Sequence, residues 1–547
     1  MNNKSIKILL LMIFTFTSYL FPQKLAKVNS TLSVDWRKSQ KININNISTW
    51  IHWDGRSDID YQDAGFEFPK GSNKHCFFQS GLIWGGKVNN EIRVGGSMYS
   101  TSLTPGWIKA DGTPIDTSDL RVRIYKTRKN YLTADLSAES RDEGRPEEEI
   151  RNQYKKDAEA WPAEHGAPFD DIDGDRIYTY GVDIPGVIYA DQTLWLATNN
   201  MDIVLSQQRF DSYETNIELQ ATVWAYDAPA PLNNSIFKKY ILINKGNDTL
   251  KDFYISMWSD PDIGEPRNDL VGCDSIFGMG YSYNSPDIDT SYGVRSPACG
   301  FVIFESTSRK TDGAIIKNKP RMSSFYLQIP FNYWQDDNIE WKYRIYNILR
   351  GLIENTGEPL FDPITLRTTK YAVNGNPVGF TGWVDGIVIH EADRRFYMSS
   401  GPFNMAPGDT QEIVYAQMAA RGNDRLHSVQ LLQEMTYKLL VNYPKFNFEV
   451  PKPNEEIPEY FYLSQNYPNP FNPSTEIKYE IPIDCHVKLK IYDLLGREIA
   501  TLVDEYKQAG SYSSIFSFQH SALSSGVYIY SLHAGPYFKN RKMLLIK

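Results

Sequence analysis

The run Asp171-Ile-Asp173-Gly-Asp175 sets three carboxylates at alternate positions around a glycine, with Asp183 following. Carboxylates that alternate on a turning loop converge on one centre, which is how Ca²⁺ collects its roughly six to eight hard oxygen ligands. The backbone carbonyl of Ile177 can add another oxygen, and Gly174 permits the tight turn. The loop departs from the EF-hand pattern. Arg176 occupies the sixth position, where Gly is expected, and Val182 the twelfth, one short of Asp183. The plainer alternative is a solvated turn, because Asp and Gly favour turns in any context.

A second acidic group follows: Asp260, Asp262, Asp269 and Asp274, with Asp287 and Asp289 beyond. Asp260 and Asp262 come directly off a strand that ends at Trp258, so the loop is anchored at a strand end. Calcium is again the expected cofactor, in a structural role. Glycosidases also need two carboxylates across a cleft. With 66 acidic residues in the chain, spacing alone selects no such pair, and no catalytic residue is assigned. Trp50 and Trp53 flank His52, and Trp84 lies further on; exposed, they would be platforms for sugar rings. A packed position is favoured, since Trp is mostly buried.

Other chemistries lack their residues. The sequence has no HExxH zinc helix, no GxSxG elbow and no phosphate-cradling loop ending in Lys-Ser/Thr. Its eight His are scattered, and His390 beside Glu391 reads as a surface turn. His75 and Cys76 adjoin in a strand, so they point to opposite faces and form no catalytic pair. Cys273 and Cys299 are spaced to permit a disulfide after export.

The elements that must hold these loops are mostly strands. Ile217, Leu219, Ala221, Val223 and Ala225 alternate with polar or aromatic neighbours, which predicts a strand buried on one face. Ile236–Ile243, the turn Asn244–Asp248 and Leu250–Trp258 read as a hairpin, with Phe253, Ile255 and Met257 on one face. Met405–Asp409 turns into another strand, Glu412–Met418. Two helices are expected. Ala138–Ala160, crowded with charge and split or started near Pro146, reads as a solvated surface helix. Asp424–Tyr443 carries an apolar stripe and packs on the sheet, stopped by Pro444.

The chain has 547 residues and a formal net charge of -9, with 41% hydrophobic residues. That suffices for large cores, and the acidic balance argues against nucleic acid as a partner. Lys4 and Lys7 followed by an apolar run from Ile8 to Phe21 predict a signal peptide over 1–23, and no transmembrane span is expected in the mature chain. Residues 24–450 read as a β-rich ectodomain, one large or two packed β-sandwiches, with 138–190 a charged helix and acidic-loop insertion. Residues 451–459 read as a linker. Residues 460–547 read as a C-terminal immunoglobulin-like β-sandwich, so the fold class is mainly β.

This last segment is more specific than its fold. LSQNYPNPFNPSTEIKYEIP, followed by VKLKIYDLLGREIATLV, an AGSY turn, SSGVYIYSL and a terminal KMLLIK, resembles a type IX secretion system C-terminal sorting domain. The resemblance rests on Tyr467, Pro468, Asn469, Pro470, Phe471, Asn472 and Pro473, then Gly496, Gly526 and Lys542. It implies Sec export, the type IX secretion machinery as partner, and release or attachment at the outer cell surface of a Bacteroidetes-type bacterium. Pro468, Pro470 and Pro473 keep the lead segment out of any central strand, while Tyr467 and Phe471 are expected to pin it on the sandwich. The ectodomain resembles others found ahead of this signal, through FQSGLIWGGKV, GAPFDDIDGDRIYTYGVDIPG, WSDPDIGEPRNDLVGCD and FYMSSGPFNMAPGDTQEIV, which implies a shared fold. The function expected is a secreted or surface structural module, for adhesion or capture of a glycan or other polymer, stiffened by calcium. The alternative is a secreted hydrolase acting on polysaccharide.

Overall fold

Strands dominate the chain, at 45% against 14% helix, as the alternating patterns require. The computed structural model describes residues 34–61, 63–311, 314–317, 322–329, 340–388, 390–442, 461–482, 485–507, 510–517, 523–535 and 537–546, without the side chains of 305–311 and 314–317. The expected signal peptide at 1–23 and the linker at 451–459 lie outside the described residues.

Two large antiparallel sheets face each other. The first runs Ser39–Ile42, Thr49–His52, Arg56–Ser57, His75–Val88, Leu250–Pro261, Arg395–Met405, Ser324–Gln328. The second runs Tyr125–Arg128, Gln192–Asn199, Ile217–Ala225, Ser235–Asn244, Thr410–Ala420, Ala298–Thr311, Met279–Asn284, Asp269–Asp274. Phe253, Ile255 and Met257 all point inward from the first sheet, and Leu219, Phe301 and Ile413 meet them from the second. Phe77 and Phe301 touch edge to face across the gap, with ring centroids 5.5 Å apart. Each large side chain buried here contributes roughly 1.5–3 kcal/mol.

Three expectations are corrected. The segment Asn244–Asp248 is an arch, not a hairpin turn: Ser235–Asn244 belongs to the second sheet and Leu250–Pro261 to the first. The turn after Met405 crosses between the same two sheets. The arches are tied together, with Gly408 N donating to Asn244 O at 2.8 Å and Asn244 N to Asp409 O at 3.0 Å. The strand Ile217–Ala225 is buried on both faces, because the 104–115 segment covers its outer side; Ile108 N donates to Glu218 Oε2 at 2.7 Å.

The third correction concerns the charged helix. It is two helices, Ser137–Glu143 and Glu147–Glu159, parted at Pro146 as expected, with Glu148, Lys155, Lys156 and Glu159 solvated on the outer face as expected, but its inner face is not solvated. The acidic side chains on that inner face are buried and paired. Lys126 meets Glu143 at 2.7 Å, Arg128 meets Glu139 at 2.7 Å and Arg123 meets Asp157 at 2.9 Å. Burying such groups is tolerable only because each has a partner. The helix Arg425–Asn442 matches its expected stripe. Val429, Leu432 and Leu439 pack on the outer face of the second sheet.

The C-terminal segment is a smaller sandwich. Three strands (Tyr462–Leu463, Ser474–Ile481, Gly510–Ser517) pack on four (Glu498–Lys507, Cys485–Tyr492, Gly526–Ala534, Tyr537–Leu545) around Ile477, Leu489, Tyr530 and Leu532. Cys273 and Cys299 are not bridged; all four cysteines are free. Cys273 pairs with Gly280, and Cys299 with Ser282 one strand further on. Two strand spacings and a two-residue offset put them more than about 10 Å apart, beyond the roughly 7 Å a disulfide spans.

Candidate metal centre and sorting domain

Among the described residues, two groups bring three acidic side chains within metal-binding reach of one another: Asp171, Asp173 and Asp175, and Asp260, Asp262 and Asp393. Their surroundings differ.

The first group sits on an exposed loop turned by Gly174, whose φ of 79° lies in the left-handed region. Its carboxylates mostly serve the loop itself. Asp171 accepts from Gly174 N at 2.8 Å and from Arg176 N at 2.9 Å, and Asp175 accepts from Ile177 N at 2.7 Å. Asp183 closes the base of the loop, accepting from Ile172 N at 2.9 Å and Thr179 N at 2.7 Å. Ile177 stands in solvent with 66% of its surface exposed.

The second group is a product of register. The ladder between Leu250–Pro261 and Arg395–Met405 pairs Trp258 with Tyr397 and Ser259 with Phe396. Asp260 is the next residue on the first strand and Arg395 the next on the second, while Asp262 and Asp393 lie just beyond the strand ends. Residues two apart on a strand share a face, so Asp260 follows Trp258 on the outer side of the first sheet, and Asp262 and Asp393 come within reach of it. Tyr99 closes over them. Its hydroxyl donates to Asp260 Oδ2 at 2.6 Å and accepts from Arg395 Nε, and its ring meets Trp258 at 4.7 Å. Arg395 reaches Asp260 Oδ1 at 3.5 Å and Asp393 Oδ2 at 3.0 Å.

One arginine does not neutralise this group. Burial pushes the Asp260 carboxyl up to about 7, although Arg395 opposes the shift. Burial, then the charges of Asp260 and Asp393, hold Asp262 well above the usual carboxylate range. Burial also raises Asp393. Asp260 Oδ1 and Asp393 Oδ1 are buried with no hydrogen bond, as is Arg395 Nη1. Carboxylate oxygens that converge without hydrogen bonds, Asp260 Oδ1 with only its ion pair to Arg395, suit a hard divalent cation, and the residues present fit one.

Asp269 lies beside the group without joining it. It is fully buried, and burial followed by the Asp262 charge raises its carboxyl. One oxygen faces Ile263 N at 3.4 Å and the other has no hydrogen bond. Asp274 is far away, at the other end of strand Asp269–Asp274, where it caps the turn through Ile276 N and Phe277 N, both at 3.0 Å. Asp287 pairs with Arg425, and Asp289 braces the Ser291–Tyr292 turn. The sequence reading missed Asp393, Arg395 and Tyr99. Nothing local marks them, since strand pairing alone brings them to Asp260.

Trp50 and Trp84 are buried, as favoured, and Trp53 is half-buried beneath Arg37 and Lys38. Exposed aromatics occur elsewhere. A groove of about 650 Å³ beside the Asp171 loop is lined by Tyr131, Tyr178, Tyr180, Tyr189 and Ile184. Tyr180 and Tyr189 expose 43% and 48% of their surface. A hollow of about 320 Å³ shares Arg128, Lys129 and Asn130 with the groove and adds Asp135, Asp191 and Asp227.

The sorting motif divides between core and surface. Phe471 is 1% exposed, and its backbone joins Leu544 O at 2.9 Å. Tyr467 is 80% exposed, so of the two aromatic rings Phe471 alone is pinned in the core. Asn466 takes the inward place, donating Nδ2 to Thr475 Oγ1 at 2.9 Å, and its backbone N donates to Tyr530 Oη at 2.8 Å. Pro468, Pro470 and Pro473 lie outside the long strands, each after a cis peptide bond, including those following Tyr467, Asn469 and Asn472. Asn469 Oδ1 accepts from Leu544 N at 2.8 Å. Gly496, at φ 78°, forms the turn capped by Asp493; Gly526 begins a strand, and the Lys542 carbonyl accepts from Gln465 at 2.7 Å.

The chain matches no curated protein. Among solved structures it is similar to a polysaccharide lyase at 9% identity and TM-score 0.19, over 60% of this chain and 34% of that one. It is also similar to the adhesin domain of Epf from Streptococcus pyogenes at 8% identity and TM-score 0.16, over 61% of this chain and 93% of that one. Both likenesses are too low to carry an argument. The family model described as a secretion system C-terminal sorting domain matches residues 465–547. With its lead segment pinned at Phe471 and its strands closed into a sandwich, that segment is a type IX C-terminal sorting domain, and it marks the chain for export and secretion or attachment at the cell surface.

Proposed function

We propose that the exported ectodomain is a structural and binding module that captures a polymer, stiffened by Ca²⁺ held between Asp260, Asp262 and Asp393. The observation that carries the metal is the set of buried carboxylate oxygens with no hydrogen bond. A cation there would tie the ends of two neighbouring strands and remove the repulsion between Asp262 and Asp393. The exposed Asp171, Asp173 and Asp175 are a second, weaker place for the same ion.

The tyrosine-lined groove is the capture surface of this reading. Tyrosine faces stack on the apolar faces of sugar rings, and the mixed charges at the groove's far end suit hydroxyls better than a polyanion. A neutral polysaccharide is therefore the ligand class. The type IX secretion machinery is the partner during export, through residues 465–547.

The alternative reading, a polysaccharide hydrolase, is favoured by one observation: the Asp260 carboxyl, raised to about 7, suits a general acid. One experiment separates the two. The purified exported chain is mixed with insoluble polysaccharides, and the bound fraction and released reducing ends are scored together. Binding without release, weakened about tenfold by Tyr180→Ala with Tyr189→Ala, supports capture. Released ends that vanish in Asp260→Asn establish the hydrolase instead.

A further inference from the structure

Cys76 and Cys299 sit in the core on opposite sheets, Cys76 in strand His75–Val88 and Cys299 in strand Ala298–Thr311. Their neighbours Phe77 and Phe301 form the edge-to-face contact between the sheets. Cys299 Sγ lies 3.5 Å from the Cys76 carbonyl, and Cys76 Sγ lies 3.4 Å from Tyr292 Oη. Burial raises the Cys299 thiol, and the neighbouring Cys76 side chain raises it further. Cys273 has no such neighbour; burial and then Asp274 govern its thiol.

We infer that Cys76 and Cys299 are the pair that oxidises when this exported chain folds, forming a disulfide that clamps the two sheets of the sandwich together. The oxidant is a disulfide donor of the class that serves exported proteins. One cysteine thiolate attacks the donor and releases one donor thiol. The second cysteine then attacks that mixed disulfide and releases the other. Both protein sulfurs are oxidised, together losing two electrons, and the donor disulfide is reduced to two thiols. Both residues are fully buried, so the exchange takes place before the sheets close over them.

The test refolds the full chain with oxidised glutathione, denatures it, alkylates free thiols and maps the peptides without reductant. Of the four cysteines, Cys273 and Cys485 should be alkylated, and Cys76 and Cys299 should appear as one linked peptide, two hydrogens lighter than the separate thiols. Cys273→Ser should leave the link intact, whereas Cys299→Ser should return Cys76 to the alkylated pool. Alkylation of all four cysteines after oxidative refolding overturns the inference, and so does a link through Cys273. The wild-type map decides the matter even where a variant fails to fold.

Discussion

Asp262 and Asp393 lie just beyond the ends of the neighbouring strands Leu250–Pro261 and Arg395–Met405 with their carboxylates within reach of one another, two acidic groups where a sheet normally puts complementary ones. Opposed like charges destabilise a pair by roughly 0.2–1 kcal/mol. Asp393→Asn should therefore keep or slightly raise the metal-free melting temperature while reducing the gain on adding Ca²⁺ by at least half. Calorimetry of wild type and variant, each with Ca²⁺ and with chelator, measures both effects. An undiminished calcium gain in Asp393→Asn would remove that residue from the site.

The buried Asp157 gives stability a pH dependence of a definite sign. Burial raises its carboxyl to about 6 from 3.8, against the pull of Arg123. The folded state therefore binds a proton more readily than the unfolded chain. The stabilisation is complete below about pH 4 and is lost as pH rises through about 6, by up to roughly 3 kcal/mol. Asp157→Asn should flatten that part of the pH profile in urea titrations, leaving the contributions of other groups.

Asp58 and Lys238 join the sheets through a buried polar knot. Lys238 Nζ lies 3.5 Å from Asp58 Oδ1 and donates to Ser57 Oγ at 2.8 Å, while Gln417 Nε2 donates to Asp58 Oδ2 at 2.9 Å. Asp58→Ala would leave Lys238 unpaired in the core and should cost about 3–5 kcal/mol. Lys238→Met with Asp58→Leu should recover much of that loss in equilibrium unfolding.

Within the sorting domain, Phe471→Ala should destabilise the small sandwich by about 3–5 kcal/mol. Tyr467→Ala should change its stability by no more than about 0.5 kcal/mol, because the ring is in solvent. If the exposed ring is instead read by the secretion machinery, Tyr467→Ala will lower surface delivery without unfolding the domain. Cell fractionation beside thermal melting separates these effects. Removing residues 461–547 should leave the protein in the periplasm.

What the sequence disclosed followed the range of each signal. The Leu463–Pro482 run and its order of strands carried the sorting domain, because a contiguous segment holds the whole pattern. The helix Arg425–Asn442 was legible for the same reason. The inward face of Phe253, Ile255 and Met257 was legible, but their strand's partners were not: alternation says which residues are buried and not which sheet receives them. Asn244–Asp248 therefore read as a hairpin when it is an arch. Two of the three carboxylates of the buried group were visible, Asp260 and Asp262. Asp393, Arg395 and Tyr99 reach it only through long-range pairing, and Asp274 left it because strand Asp269–Asp274 is extended. The helices at 137–159 were legible on their solvated face only: Glu139 and Glu143 turn inward because Lys126 and Arg128 on a neighbouring strand pair with them.

The most direct measurement is the melting temperature of the exported chain at neutral pH with Ca²⁺ and then with excess chelator, repeated for Asp260→Asn. Calcium at a hundredfold excess over its dissociation constant adds about 2.7 kcal/mol. A metal held at Asp260, Asp262 and Asp393 raises the wild-type midpoint, reverses on chelation and raises the Asp260→Asn midpoint much less. Equal midpoints with Ca²⁺ and with chelator in the wild-type chain would contradict a calcium-stiffened ectodomain.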